Sequence, residues 1–226
     1  MKSEKAMKLR LSVLYSVILT VLLGGCAATD VIARYAVSSF GTMTTAMEAF
    51  PKDGYLVIES PAGDLFSLAL DFAGNPDALL SIDATPFLAA GMVPDRLPGG
   101  QSAVWTVEDG RLVGRFDLAS GGKASSAEPK AVMAALVLAA RGILGYHAQM
   151  RHYSVMLDDY AMVEWAAEAR KNDKDWVLIL DPGLVSAAGG NPAVVEGWIL
   201  ALVPVDGPDG KMVEVQKLLR PFDIIQ

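Results

Sequence analysis

Apolar residues recur at two spacings along the chain, and each spacing predicts a type of element. Phe66, Leu68 and Leu70 are separated by single residues, which is the period of a strand with one buried face. A β-rich run precedes them at 55–60, and the turn residues between the two runs predict a hairpin. Runs of the same kind predict further strands at 78–82, 103–108, 111–118, 153–157, 198–205 and 211–218.

Helical spacing predicts two longer helices. Residues 27–50 place apolar side chains on one side of a helix, although Gly41 weakens the pattern, and residues 128–150 contain an Ala/Leu-rich run. That run, 131–140, falls well short of the roughly 20 residues that a membrane span needs, so it predicts a buried helix. The apolar face of the first helix consists of Ile32, Tyr35, Ala36, Met43, Ala46 and Phe50.

Residues 160–171 fit both types of element. Their alanines and glutamates favour a helix, but Val163, Trp165 and Ala167 alternate with polar or small residues. We predict a strand here, because the internal repeat described next places a strand at this position.

Two stretches of the chain resemble each other. Residues 77–97 read DALLSIDATPFLAAGMVPDRL, and residues 175–195 read DWVLILDPGLVSAAGGNPAVV. Aligned without a gap, 98 positions apart, they share seven identities in 21 positions. Such a repeat predicts a fold that contains one unit twice. The identities are Asp77/Asp175, Leu80/Leu178, Asp83/Asp181, Ala89/Ala187, Ala90/Ala188, Gly91/Gly189 and Pro94/Pro192.

Folding signals account for most of the shared residues. Asp83 and Asp181 can each cap a short helix that follows a strand. Gly91 and Gly189 stand after those helices, where a left-handed backbone favours glycine. Further along, Asp109-Gly110 lies between two apolar runs and is a strong signal for a hairpin turn.

These elements predict an α+β fold with a mostly antiparallel sheet and two tandem repeats of about 95 residues. Each repeat is expected to run helix–hairpin–strand–short helix–hairpin. The expected segments are a signal peptide (1–25), a lipidated cysteine with tether and possible helix (26–52), repeat 1 (53–122), and a linker, helix and repeat 2 (123–226). We favour one body over two small domains, because a single repeat would expose much of its apolar surface.

The first 25 residues have the pattern of a secretory signal peptide. Four basic residues within the first ten are followed by an apolar run over 11–23. This run is shorter than the roughly 20 residues of a permanent membrane span. It ends in Leu23-Gly24-Gly25-Cys26.

This tetrapeptide resembles the lipobox of bacterial lipoproteins, in which a leucine and two small residues precede the cysteine. The resemblance covers residues 1–30 and implies that Cys26 becomes the first residue of the mature chain and carries acyl chains that anchor it in a membrane. Cys26 is the only cysteine, so the thiol has no partner for an internal disulfide. The alternative is an ordinary signal peptide or single membrane anchor that happens to contain a cysteine.

The resemblance also implies a location outside the cytoplasm. Ala27 follows the cysteine, where lipoproteins retained in an inner membrane typically have aspartate. We therefore expect an exported, lipid-anchored protein. It would face the periplasm from the outer membrane if the source has two membranes, and otherwise lie on the outer face of the cell membrane.

The formal charge of the chain after residue 25 restricts which macromolecules it is expected to bind. Residues 1–25 hold four of the 19 Lys/Arg and one of the 26 Asp/Glu, which leaves 15 basic and 25 acidic side chains and a formal charge of −10. An acidic body repels phosphate backbones, so nucleic acid is not an expected partner. The expected partners are the membrane, through acyl chains on Cys26, and an envelope protein.

Few residues suggest a reaction. Asp83 and Asp181 would form an acid/base pair if the repeats brought them together, but helix capping explains both. His147 and His152 are five positions apart, which on one helix or one strand points them in different directions and does not suit metal chelation. Nucleophile-elbow, phosphate-loop and zinc-protease motifs are missing from the sequence, and no cofactor is implied. We expect no catalytic residues and no metal site.

The four tryptophans permit a different function. Trp105, Trp165, Trp176 and Trp198 lie in predicted strands, where large aromatics usually form the core, but they could instead line a ligand site. Our first hypothesis is a lipid-anchored envelope protein whose duplicated body is a protein-binding or accessory structural module. The alternative is a small-ligand-binding lipoprotein with a cleft between the repeats. A packed junction between the repeats would favour the first, and a wide apolar pocket the second.

Overall fold

The computed structural model describes residues 31–74, 76–100, 102–140, 142–148, 150–170, 174–206 and 212–223. Within these ranges the chain is α+β, with four α-helices and two six-stranded antiparallel sheets. The predicted fold class is confirmed at this level. Cys26 and the predicted signal peptide lie outside the described residues.

The first sheet is built from residues 48–116. Its order is β1-β2-β3-β4-β6-β5, and helix α1 (31–45) precedes it. Helix α2 (Thr85–Ala89) and a 3-10 helix (Pro94–Arg96) lie between β4 and β5. The strands are β1 (Glu48–Lys52), β2 (Tyr55–Glu59), β3 (Leu65–Ala69), β4 (Ala78–Asp83), β5 (Ala103–Glu108) and β6 (Arg111–Phe116).

The second sheet follows the same plan. Helix α3 (Pro129–Ala139) precedes it, and α4 (Pro182–Ala187) with a 3-10 helix (Pro192–Val194) follows its fourth strand. Its order is β7-β8-β9-β10-β12-β11, which repeats the order of the first sheet and is compatible with a duplication. The strands are β7 (Leu144–His147), β8 (His152–Met156), β9 (Ala161–Ala166), β10 (Trp176–Leu180), β11 (Ile199–Asp206) and β12 (Met212–Phe222).

Each sheet has one strand more than the sequence predicted. Strand β1 begins at Glu48, within the stretch with helical spacing, and continues through Pro51 to Lys52. Strand β7 lies inside the helix predicted at 128–150, because that helix ends at Ala139 and Gly142 then adopts φ 80°. A Cβ at Gly145 would lie 2.5 Å from Ser154 Oγ, so glycine allows β7 to pair closely with β8.

The structure confirms the strand predicted within 160–171 and corrects the predicted apolar face of α1. The strand predicted within 160–171 is confirmed as β9, where Val163 and Trp165 are fully buried. The predicted apolar face of α1 is correct at Ala36 and Met43, which are buried, but it is wrong at Ile32 and Tyr35, which are 40% and 66% exposed. The helix also buries Phe40, and it ends at residue 45, so Ala46 and Phe50 lie beyond it.

One hydrophobic core contains residues from both sheets and from all four helices. Helix α1 precedes the first sheet but packs on the second, with the Phe40 ring 5.2 Å from the Trp165 ring and 6.1 Å from the Trp176 ring. Ser39 Oγ accepts a hydrogen bond of 2.9 Å from Trp165 Nε1. The common core and the packing of α1 on the second sheet therefore hold the two sheets together.

Candidate functional site

The loops that follow α2 and α4 contact each other directly. Val93 N donates to Ala188 O at 2.8 Å, and Asn191 N donates to Ala90 O at 2.8 Å. Asn191 is 98 positions after Val93, and Ala188 is 98 positions after Ala90. The two hydrogen bonds therefore join equivalent residues of the repeat in both directions, as a twofold axis requires. Backbone contacts fill this junction, so it offers no cleft for a ligand.

Glycines make this close approach possible. Gly91 and Gly189 have φ values of 92° and 86°, as predicted from their position after a short helix. A Cβ at Gly190 would lie 2.8 Å from Val185 Cγ1 and 3.0 Å from Met92 N. Gly91 and Gly189 are thus shared by the two repeats because each ends a short helix and lies where the loops after α2 and α4 pack together.

The four tryptophans belong to the core. Their exposures are 4% for Trp105, 0% for Trp165, 1% for Trp176 and 8% for Trp198. Two of them join the sheets, since the Trp198 ring lies 5.4 Å from Phe87 and the Trp176 ring lies 6.2 Å from Phe66. Trp105 also lines a pocket of about 290 Å³ together with Asp158 and Tyr160.

Asp83 and Asp181 have separate structural partners. Asp181 Oδ1 caps α4 by accepting from Gly183 N at 2.8 Å, and its Oδ2 lies 2.8 Å from Lys217 Nζ. Asp83 lies one residue before the N-cap of α2 and accepts from Thr85 N at 2.9 Å. That hydrogen bond lowers the pKa of Asp83. Neither carboxylate has the arrangement of an acid/base pair.

The two histidines converge, contrary to our expectation. A turn separates them, so β7 and β8 pair His147 directly with His152 and place both on one face of the sheet. Their Nε2 and Nδ1 atoms lie 3.3 Å and 3.6 Å from the two oxygens of Glu164, whose side chain is 5% exposed. The structure therefore places a buried carboxylate between two imidazole rings. Among the residues that the structure describes, no group of three or more His, Cys, Asp or Glu side chains could hold a metal ion.

Two further carboxylates tie the sheets together. Asp64, in the β2–β3 turn, is 2% exposed and its Oδ2 lies 3.2 Å from Arg220 Nε on β12. Asp158, in the β8–β9 turn, accepts a hydrogen bond of 2.9 Å from Trp105 Nε1 on β5. Burial raises the pKa of both carboxyl groups. Nothing in the sequence signalled that either carboxylate would join the two sheets.

The outermost strands of the two sheets differ in how their backbones are protected from pairing. Strand β1 contains Pro51 and charged residues at both ends, and β7 has only four residues. Strand β5 is partly covered, because Val104 forms a bridge with Gly99. Short length, charge, proline and coverage are the usual protections of a sheet edge. Strand β11 is eight residues long and has no charged side chain from position 199 to 205; its proline, Pro204, lies near the end of the strand, so residues 199–203 have neither charge nor proline.

Apolar side chains stand exposed beside this strand. Ile199, Leu202 and Val213 are 54%, 59% and 42% exposed. We call β11 together with these three side chains the β11 edge. It combines an unpaired strand backbone with an apolar surface, which is the combination that an added strand from another protein requires. We predicted both strands of this hairpin, but not that β11 would be outermost.

A groove lies between α1 and α3. Its volume is about 740 Å³. Its lining consists of small, polar and charged residues and includes no aromatic side chain: Gly41, Thr42, Thr45, Ala46, Glu128, Pro129, Lys130 and Ala169.

Comparisons with known proteins give no name for this fold. No family model matches the chain, and neither a curated protein nor a solved structure is significantly similar to it. Within the described part of the chain, none of the helices is long and apolar enough to cross a membrane.

Proposed function

We propose that this chain is a lipid-anchored envelope protein that binds an extended segment of another protein along the β11 edge. The observation that carries the proposal is the long, uncharged outer strand with exposed Ile199 and Leu202 beside it. Main-chain hydrogen bonds to such a strand supply affinity, and the flanking side chains supply selectivity. The anchor rests on the resemblance of Leu23–Cys26 to a lipobox.

We further propose that the body arose by duplication of a unit of about 95 residues, with repeat 1 at 53–122 following its helix in 26–52, and a linker, helix and repeat 2 at 123–226. The shared strand order and the reciprocal hydrogen bonds between the loops after α2 and α4 support this. A binding role, not catalysis, is part of the proposal, as is an exported location with the body outside the cytoplasm.

Ligand binding is the second candidate. The groove between α1 and α3 supports it, because about 740 Å³ falls within the volumes usual for small-molecule sites. The tryptophans, which the alternative hypothesis placed in the walls of a cleft, do not line this groove, so it would select for polar contacts through Thr42, Thr45 and Lys130.

Photo-crosslinking in cells of the source tests the first proposal. A crosslinking amino acid at Ile199 of the full chain should trap one discrete protein, and Val104, an exposed apolar residue on β5, is the matched control position. Leu202→Lys should abolish capture, because a lysine on an edge opposes strand addition, while Val104→Lys should leave capture intact.

Equal crosslinking at the two positions, or capture that survives Leu202→Lys, would overturn the β11 edge as the binding surface. A small molecule that stays bound to the purified protein in native mass spectrometry, but is absent from the Thr42→Trp variant, would favour the groove as the binding site instead.

A further inference from the structure

Four aromatic residues form a row across the second sheet. Trp176, Trp165, Tyr153 and Tyr146 are paired in register on β10, β9, β8 and β7. Successive ring centroids are 6.4, 6.0 and 4.9 Å apart. The first three rings are buried, whereas Tyr146, at the edge of the sheet, is 41% exposed.

The N-terminal end of α1 lies beside the exposed end of this row. Ser39 and Phe40 contact Trp165, and Tyr35 is one helical turn before Ser39. The pKa of Tyr153 is raised by burial and, to a smaller extent, by Tyr146 and Tyr35, which agrees with this placement.

The apolar residues at this end of the helix are exposed. Val31 and Ile32 are 48% and 40% exposed, and Tyr35 is 66% exposed. Ile32 lies within about 20° of Met43 around the helix axis, yet only Met43 is covered by the protein. The helix therefore extends past the surface that buries the rest of its apolar face.

Chain length places this surface near the lipid anchor. Val31 is five positions after Cys26, and a fully extended chain of that length spans at most about 18 Å. If Cys26 carries acyl chains, the start of the described helix cannot lie farther than this from the point where those chains enter the membrane.

We propose that Val31, Ile32, Tyr35 and Tyr146 rest in the headgroup region of the membrane that holds Cys26. The inference rests on the proposed lipid anchor. Tyrosine suits this region, because its ring is apolar and its hydroxyl reaches water. Arg34 is exposed on the same helix and is the only basic residue within 31–45, so it can pair with lipid phosphates although the body as a whole is acidic.

This contact would orient the body. Tyr146 is on β7, and the β11 edge is at the opposite side of the same sheet, five strand spacings or roughly 24 Å away. With β7 against the membrane, the β11 edge faces away from it and stays accessible to a partner protein.

Spin labels in the acylated full-length protein test the orientation. Cys26 is the only cysteine, and its sulfur is consumed by the lipid, so Tyr35→Cys, Tyr146→Cys or Leu202→Cys each provides a single free thiol. In phosphatidylcholine vesicles we expect labels at 35 and 146 to be relaxed by oxygen several-fold more than by a water-soluble nickel complex, compared with the label at 202. Leu202 is the matched control, because it is also apolar and exposed.

The possible results separate this inference from the anchor itself. Labels at 35 and 146 that match the label at 202 in an acylated protein would overturn the orientation and leave the anchor standing. An intact mass without acyl chains would overturn the anchor, and the orientation with it. Circular dichroism of each variant confirms that the label has not unfolded the protein.

Discussion

The hairpins β5–β6 and β11–β12 occupy the same place in the strand order of their sheets, but their surfaces differ. Strands β5 and β6 have six residues each, and an ion pair of 2.6 Å joins Glu108 to Arg115 across them. Strands β11 and β12 have eight and eleven residues, and expose Ile199, Leu202 and Val213. The shared strand order is held by the core, whereas an outer hairpin can change its length and surface without disturbing that core. The departure from the common plan is therefore where we place the function.

The side-chain contacts that join the two sheets also differ between the two halves of the molecule. The β2–β3 turn reaches the other sheet through an ion pair, Asp64 with Arg220, and the β8–β9 turn does so through a hydrogen bond from Trp105 to Asp158. Breaking a buried ion pair leaves an uncompensated charge, while breaking the neutral donor's bond leaves a smaller deficit. The two halves should thus respond unequally to equivalent changes.

The largest expected effect comes from Arg220→Met, which removes the cation beside buried Asp64. We expect a loss of about 3–5 kcal/mol in the free energy of unfolding. Asp158→Asn keeps one side-chain oxygen, which can accept from the backbone N–H groups of Tyr160 and Ala161 or from Trp105 but not from both, and should cost about 1–2 kcal/mol. Urea unfolding of the purified protein at pH 7 measures both. Equal losses of unfolding free energy in the two variants would contradict the prediction that the two contacts between the sheets differ in strength.

The same pair predicts a pH dependence. Burial raises the pKa of Asp64 and Arg220 opposes the rise, with smaller contributions from Arg111 and Asp83. Since the folded pKa lies above the unfolded value, this carboxyl stabilises the fold when protonated, and its contribution is lost as pH rises through the folded pKa. Arg220→Met should therefore lose more stability than the wild type between pH 4 and pH 7. Adding Asp64→Asn should remove the extra slope.

The junction provides a steric test of the pseudo-twofold arrangement. Gly190 occupies the position 98 residues after Met92, and a Cβ there would lie 3.0 Å from Met92 N. Gly190→Ala should destabilise the protein by about 1–3 kcal/mol through overpacking. Gly74→Ala, where nothing lies within 4 Å of the added carbon, is the control and should change stability little. A tolerated alanine at 190 would mean that the loops can separate without cost.

The turn of the first outer hairpin should be moderately sensitive. Gly110 has φ 75° and open space around it, so Gly110→Ala adds backbone strain without a clash. We expect a cost of about 1–2 kcal/mol. Thermal unfolding would show it as a lowered midpoint, and an unchanged midpoint would mean that the β5–β6 turn relaxes freely.

The smallest effect on stability is expected at the β11 edge. Leu202 is more than half exposed, so Leu202→Lys should change the free energy of unfolding by less than about 0.5 kcal/mol. Its loss of partner capture would then report on binding alone. A large destabilisation would show instead that Leu202 contributes to the fold.

Local signals in the sequence predicted the features that depend on neighbouring residues. Alternating apolar residues identified most strands, Asp109-Gly110 identified a hairpin turn, and Asp181 was recognised as a helix cap. Each of these depends on contacts within a few positions, so the sequence contains the information directly. The extra strands β1 and β7 were missed because proline and an Ala-rich run obscured them.

Long-range pairing decided the candidate surface. The sequence contains the uncharged run at 199–205, but only the tertiary structure inserts β12 between β10 and β11 and leaves β11 outermost. In the same way, pairing of β7 with β8 and of β8 with β9 brings His147 and His152 to Glu164, and packing of α1 on the second sheet leaves Tyr35 exposed. These juxtapositions join residues that are distant in the chain, and no local propensity specifies them.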